Sequence, residues 1–372
     1  MVDSSPATPS GSALALRSGA LHLPAFLPDA THGVIRTLDP LDVESCGVQA
    51  VVMNVFHLMQ RPGSTTIRAL GGLHAMFGWQ GPIMTDSGGF QAYSLIRQNA
   101  RYGTMSDRGL IFRPDGSRRK INLTPEKSIE LQMAYGADIV VCLDDCTHAE
   151  APLSEQRLSV QRTIAWARRC REAYDRRLEA TGLSQDQRPL ILGVVQGGNE
   201  QALRRECAEA LLEIGFDGYG LGGFPLDAQG NLLTDIIGYM RGLIPPEFPM
   251  HGLGVGHPQY VLDCYRMGYA MFDSSLPTRD ARRGRLLVFR EATPSFLGDW
   301  CAYLYISDER HVKSRLPIDE GCDCYTCQRY SRGMLQHLFR VKDGLFYRLA
   351  TIHNLRFMAR MMAMLREGRA DA

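Results

Sequence analysis

The chain has 372 residues, 45% hydrophobic and 22% charged, with a formal net charge of +1. This is the make-up of an ordinary globular protein, long enough for one large domain with an appendage or for two domains, and it excludes disordered and fibrous chains. No apolar run is long enough to span a bilayer and no charged-then-apolar leader is present, so a cytoplasmic protein without a membrane partner is expected.

Residues 1–11, rich in Ser, Pro and Thr, predict a disordered tail. Residues 13–23 alternate apolar and polar around Ser18-Gly19, the pattern of a small hairpin. Short apolar runs then alternate with helix-length segments, at 25–28, 50–55, 82–85, 138–143, 190–195, 218–222, 251–255 and 270–272. Amphipathic helices are predicted over 125–135 behind a Thr124-Pro125 start signal, over 153–178 with an Arg-rich polar face, and over 200–214. Eight strand candidates with helical connections fit an α/β fold of the (β/α)8 TIM barrel type better than a doubly wound sheet, which gives a similar string. From about Glu291 irregular sequence leads to a cysteine cluster, then to a helical segment from about Ser331.

The run ends carry polar or glycine residues: Asp86, Asp144 with Asp145 and Cys146, Gln196, Gly222-Gly223, Gly254 to Gly256, and Asp273. In a parallel barrel these ends share one mouth, and buried strand interiors do not tolerate such groups. In Pro82-Ile83-Met84-Thr85-Asp86-Ser87-Gly88-Gly89-Phe90-Gln91 an apolar run is aimed at a carboxylate, and glycines then let backbone approach a ligand. A Gly-rich turn capped by Asp86 is the other reading. Asp86 and Asp273 on different strand ends suit displacement at an anomeric carbon, one attacking C1′ while the other manages protons on the leaving group. Asp144 and Gln196 match the N1–H and amino edge of guanine, and Phe90 suits stacking on a base. A salt bridge, a loop cap or a core aromatic explains each of these residues singly. Arg279, Arg282, Arg283 and Arg285 either hold phosphates and neighbouring bases of a polynucleotide or form a solvated loop. Arg118, Arg119 and Lys120 read as a solvated loop.

Cys322, Cys324 and Cys327 place three of the ten cysteines within six residues. Thiolates at this spacing, with one imidazole from a later helix, close a tetrahedral zinc site with no open position, so the metal is structural. His353 and His337 are both candidates for the fourth ligand. The expected division is a tail at 1–11, a barrel with its N-terminal β hairpin at 12–290, a zinc-binding subdomain at 291–355, and a helix packing back on the barrel at 356–372.

Taken together, these motifs resemble the tRNA-guanine transglycosylases (queuine tRNA-ribosyltransferases) of bacterial type. The resemblance rests on Thr85 to Gln91, Asp138-Ile139-Val140 leading to Asp144-Asp145-Cys146-Thr147, Val195-Gln196-Gly197, and Gly215 to Gly223. It continues with Gly254-Val255-Gly256, Met271-Phe272-Asp273, Leu276-Pro277-Thr278-Arg279 and the cysteines, covering nearly the whole chain from about residue 20. It implies a barrel, a homodimer, and exchange of guanine at the wobble position of GUN-anticodon tRNAs for a 7-deazaguanine, preQ1 or queuine, in queuosine biosynthesis. Asp273 is then the nucleophile and Asp86 the general acid/base. Ser87, Gly88, Gly89, Phe90, Asp144, Cys146, Gln196, Gly222 and Gly223 surround the base. Gly254, Val255, Gly256, Tyr260, Thr278, Arg279 and Arg282 contact the tRNA anticodon loop, and Cys322, Cys324, Cys327 and His353 bind zinc. Asp145, Ser274-Ser275 and Phe224 to Ala228 depart from the family's usual Glu, Cys-Val and Leu-Ala-Val-Gly-Glu. Insertion into DNA and a non-catalytic tRNA-binding subunit are the alternatives; Leu276 to Arg279 favours tRNA, and the two carboxylates argue against the subunit.

Overall fold

The computed structural model describes residues 12–113, 120–148, 151–291 and 294–369. The expected tail 1–11, together with Arg118 and Arg119, lies outside the described residues. Eight parallel strands form the centre: β1 (Ala25–Pro28), β2 (Val51–Asn54), β3 (Ile83–Asp86), β4 (Ile139–Val141), β5 (Leu190–Val195), β6 (Gly218–Leu221), β7 (Met250–Gly252) and β8 (Met271–Ser274). Their order is β1-β8-β7-β6-β5-β4-β3-β2. The ring closes where Asp29 bridges Val52 and Ala30 N donates to Val52 O at 2.7 Å. This is a (β/α)8 barrel. Strands covered on both faces read as continuous apolar runs, which is how they appear in the sequence.

Ala25 and Leu27, Val52, Met84, Ile139 and Val141, Leu192 and Val194, and Met271 form one buried cluster inside the barrel. Side chains alternate along a strand, so the next inward positions toward the C-terminal ends are Asp29, Asn54, Asp86, Gln196 and Asp273. Period-two alternation thus delivers polar groups to one mouth. The other end is plugged by the antiparallel hairpin Ala13–Leu16 and Gly19–His22, whose Leu16 and Leu21 join the same cluster. Ser18 N and Ile83 N donate to the Asp138 carboxylate at 3.0 and 2.8 Å, tying the plug to the barrel floor. Asp138 therefore precedes its strand, and β4 is shorter than the predicted 138–143.

The predicted helices begin and end for local reasons. Thr124 Oγ1 accepts from Lys127 N at 3.2 Å, Pro125 occupies the first turn, and Gly136 at φ 84° closes the helix Pro125–Tyr135. The helix Leu153–Thr181 runs three residues past the predicted 178, to Gly182 in the left-handed region. It buries Trp166, Cys170 and Tyr174 and exposes Arg168, Arg176 and Arg177. A three-stranded antiparallel sheet (Gly103–Ser106, Gly109–Phe112, Ile121–Leu123) has no counterpart among the expected elements. Its strands are too short for alternation to stand out in the sequence. Phe112 from this sheet is buried and stacks on Phe56 at 4.9 Å between centroids.

After β8 come the helix Leu276–Arg282, a hairpin of Arg285–Phe289 with Cys301–Tyr305, and the helices Tyr325–Arg329, Arg332–Arg340 and Gly344–Arg366. The hairpin straddles the expected boundary at 290/291, and the last helix runs unbroken across the one at 355/356. The reason is its apolar face. Phe346, Leu349 and Ala350 pack in the appendage core with Leu286, Leu304 and Leu335, whereas Phe357, Met361 and Leu365 pack in the shell of the barrel. At roughly 1.5–3 kcal/mol for each large buried apolar side chain, both halves are held and the helix has no cause to break.

Candidate active site

The barrel mouth holds an open cleft of about 520 Å³ lined by Asp86, Asp144, Cys146, Gly222, Gly223 and Asp273 among others. The carboxyls of 86 and 273 therefore meet over one space. Asn54 Nδ2 donates to Asp86 Oδ2 at 2.5 Å and Gly88 N to Oδ1 at 3.1 Å. Burial and the neighbouring charge of Asp273 push the Asp86 carboxyl up to about 8 despite these bonds, so it carries a proton at neutral pH. Gly88 sits at φ 76°, where a Cβ would also come within 2.8 Å of Phe56 N; only glycine makes this turn. Asp273 is held differently. Gly254 N donates to its Oδ1 at 3.0 Å, and His251 Nε2 lies 2.9 Å from the same oxygen.

Gln196 is fully buried and its Nε2 donates to Asp144 Oδ2 at 2.6 Å. Its Oε1 has no hydrogen-bond partner among the described residues. A buried acceptor without a donor marks a place for a ligand N–H. Burial raises the Asp144 carboxyl to about 6, the Gln196 hydrogen bond opposing and the charge of Asp145 adding to the shift. A Cβ on Gly222 would stand 2.7 Å from Gln196 Nε2, so glycine there keeps this acceptor in place. Asp145 turns away to pair with Arg162. Phe90 is 45% exposed at the rim, its ring 5.7 Å from Phe224, which lies 4.8 Å from His148. Ser87 is buried, with its hydroxyl accepting from Gly89 N at 3.3 Å.

Residues expected at the RNA divide into two groups. Arg279 lines both the cleft and a side pocket of about 260 Å³ shared with Asp29, Thr31, Arg36 and Arg282. Arg282 Nη1 has no partner among the described residues. Gly254 is exposed at the mouth, but Val255 and Gly256 are buried beneath it. Thr278 is buried with its hydroxyl donating to Ser275 O at 3.1 Å, and Tyr260 donates to Gly230 O at 2.7 Å, bracing the loop after β6. Asn54, His251 and Asp29 are mouth residues that the sequence reading omits. The available signal was a polar residue two positions after a buried one on the same strand face.

In the appendage, the ligand atoms of Cys322, Cys324, Cys327 and His353 all lie within 4.8 Å of one another, so the group can hold a metal ion. His353 Nε2 is 2.7 Å from Leu287 O. Donation there leaves Nδ1, 3.3 Å from Cys327 Sγ, as the ligating nitrogen. Arg356 makes two bonds to Asp323, at 2.7 and 2.6 Å, fastening the cysteine turn to the last helix. His337 is exposed and outside the group.

A family model described as queuine tRNA-ribosyltransferase matches residues 11–369. A queuine tRNA-ribosyltransferase of Psychrobacter sp. (strain PRwf-1) is 36% identical over 349 residues, covering 94% of this chain and 86% of its own. Those of Syntrophobacter fumaroxidans and Shewanella halifaxensis (strain HAW-EB4) are 37% and 38% identical, covering 94% and 95% of this chain and 87% and 88% of theirs. Barrel, mouth and cysteine cluster all fall inside the family match, and the chain belongs to the queuine tRNA-ribosyltransferase family of pentosyltransferases.

Proposed function

We propose that the protein exchanges guanine at the wobble position of GUN-anticodon tRNAs for the 7-deazaguanine preQ1 by double displacement, within queuosine biosynthesis. One observation carries the reading: Asp86, its carboxyl pushed up to about 8 by burial and by the charge of Asp273, shares one cleft with Asp273 and with Asp144, and behind Asp144 the buried Gln196 Oε1 has no hydrogen-bond partner among the described residues. The Gly254 hydrogen bond to Asp273 falls on Oδ1, which leaves Oδ2 to attack C1′. The C1′–N9 bond breaks, guanine departs with the electron pair, and Asp86 supplies its proton. The incoming base gives a proton to Asp86 and attacks C1′, the bond to Asp273 breaks, and two inversions give retention. Asp144 and Gln196 Oε1 accept from the base, Phe90 stacks on it, and Cys146, Gly222 and Gly223 bound its pocket. Arg279 and Arg282 hold the flanking nucleotides in the side pocket. Extrusion of the target base costs a few kcal/mol, least from a loop.

The metal of the appendage is zinc, suited by three thiolates and one imidazole with no open position. The protein works in the cytoplasm as a homodimer, as its resemblance to the family implies. Queuine as the incoming base is the second reading, favoured by the apolar wall that Phe224, Pro225 and Leu226 give the cleft. An assay of labelled guanine washing out of tRNA tests the proposal. Asp273→Ala is expected to abolish washout in a folded, metal-loaded protein, and washout at an unchanged rate overturns the reading. Guanine, preQ1 and queuine offered side by side then separate the two incoming bases.

A further inference from the structure

Asp29 lines the cleft but has no part in the exchange as written. It lies two residues beyond Leu27, the register partner of Asp273 on β8, and it bridges Val52, two residues before Asn54. Around the rim the order is therefore Asp273, Asp29, Asn54, Asp86. With strands about 4.8 Å apart and about 3.3 Å of rise per residue, Asp29 stands one strand across from the nucleophile and two residues above it. Its Oδ1 accepts from Thr31 N at 2.8 Å and from the Thr31 hydroxyl. Its Oδ2 has no hydrogen-bond or ion-pair partner among the described residues.

The position selects the ligand chemistry. A base held by Asp144 and Gln196 occupies the side of the mouth formed beyond β4 and β5, so the sugar falls toward β8, β1 and β2. In an internal nucleotide the 3′ and 5′ oxygens are esterified, and the 2′-hydroxyl is the one sugar donor left, on the carbon next to C1′. Phosphate is repelled by the Asp29 carboxylate itself and has Arg36, Arg279 and Arg282 in the adjoining pocket to bind instead, whereas a half-engaged carboxylate accepts readily from a neutral hydroxyl. Asp29 also stands where the cleft joins the arginine-lined side pocket, on the path of the chain from the target nucleotide to its neighbour.

We propose that Asp29 Oδ2 accepts the 2′-hydroxyl of the target nucleotide and so selects ribose over deoxyribose. The assignment rests on the base-exchange reading above, and the 2′-hydroxyl is the group that distinguishes RNA from DNA at a given position. The test uses the full-length protein and two anticodon stem-loops that differ only by a 2′-deoxy sugar at the target guanosine. Asp29→Ala is the informative variant, because it leaves no side-chain partner for the 2′-hydroxyl, whereas the amide NH₂ of Asp29→Asn still donates to the 2′-oxygen. A hydrogen bond to a charged group predicts a wild-type preference for ribose of roughly 10- to 100-fold in kcat/KM, and Asp29→Ala is expected to remove that preference while leaving the deoxy substrate within about twofold. Equal losses on both substrates, or an unchanged preference in the variant, overturn the assignment. Wild-type exchange with no ribose preference overturns it as well and leaves base exchange standing. A wild-type protein that releases no guanine from the ribose stem-loop overturns the base-exchange reading itself.

Discussion

Burial and the charge of Asp273 push the Asp86 carboxyl up to about 8, against hydrogen bonds from Asn54 and Gly88. The folded protein thus holds this proton more tightly than the unfolded chain, where a carboxyl titrates near about 4. Stability from this group is full below the unfolded value and is lost as pH rises through the window from about 4 to about 8. Asp86→Asn removes the slope. Calorimetry is expected to show the variant gaining more over wild type at about pH 8.5 than at about pH 5, while exchange falls by about 10²- to 10⁴-fold. An equal difference at both pH values contradicts the assignment. At Asp144 burial raises the carboxyl to about 6, with Gln196 opposing and Asp145 adding. On the proposed reading its ionised form accepts the N–H groups of the base, and KM for the incoming base is then expected to rise as pH falls through about 6. Asp144→Asn is expected to flatten that profile and to raise KM by about 10- to 100-fold at neutral pH.

At the scale of elements, the last helix joins the metal group to the barrel. His353 sits between its appendage-facing residues and its barrel-facing residues, with Nε2 fixed by Leu287 O. A structural site of this kind contributes about 10–16 kcal/mol of apparent binding free energy. His353→Ala is expected to lose the metal and to lower the unfolding temperature of the whole protein, whereas His337→Ala keeps one metal per chain. Metal analysis and thermal denaturation of the two variants decide this, and metal loss in His337→Ala contradicts the ligand set. The loop after β6 is braced independently: Leu233 N donates to Pro225 O at 3.0 Å and Tyr260 donates to Gly230 O at 2.7 Å. Phe224 is therefore a fixed wall of the cleft.

Across the whole molecule, much was legible because burial imposes local rules. Strands covered on both faces must be apolar, so eight runs between helical segments announced the barrel. A carboxyl or amide at the end of such a run has a desolvation cost to offset, which made Asp86, Asp144, Gln196 and Asp273 visible. The cysteine spacing marked a metal group, while the choice between His353 and His337 needed the family resemblance and then the fold. Other features depended on residues far apart in the chain. Closure of the barrel brings Asp29, Asn54, Asp86 and Asp273 onto one rim, and no local pattern states that they adjoin. Asp138 opens its apolar run rather than ending it and faces the floor, where Ser18 N and Ile83 N donate to it. Val255 and Thr278 sit in matching motifs yet are buried. Sequence by itself determined which segments are the eight barrel strands and which of their ends carry polar side chains, since those follow from neighbours within a few positions. Tertiary structure alone decided which of those side chains face one another, since that follows from the closing of a ring that sets Asp29 beside Asn54 and also beside the strand of Asp273, far along the chain.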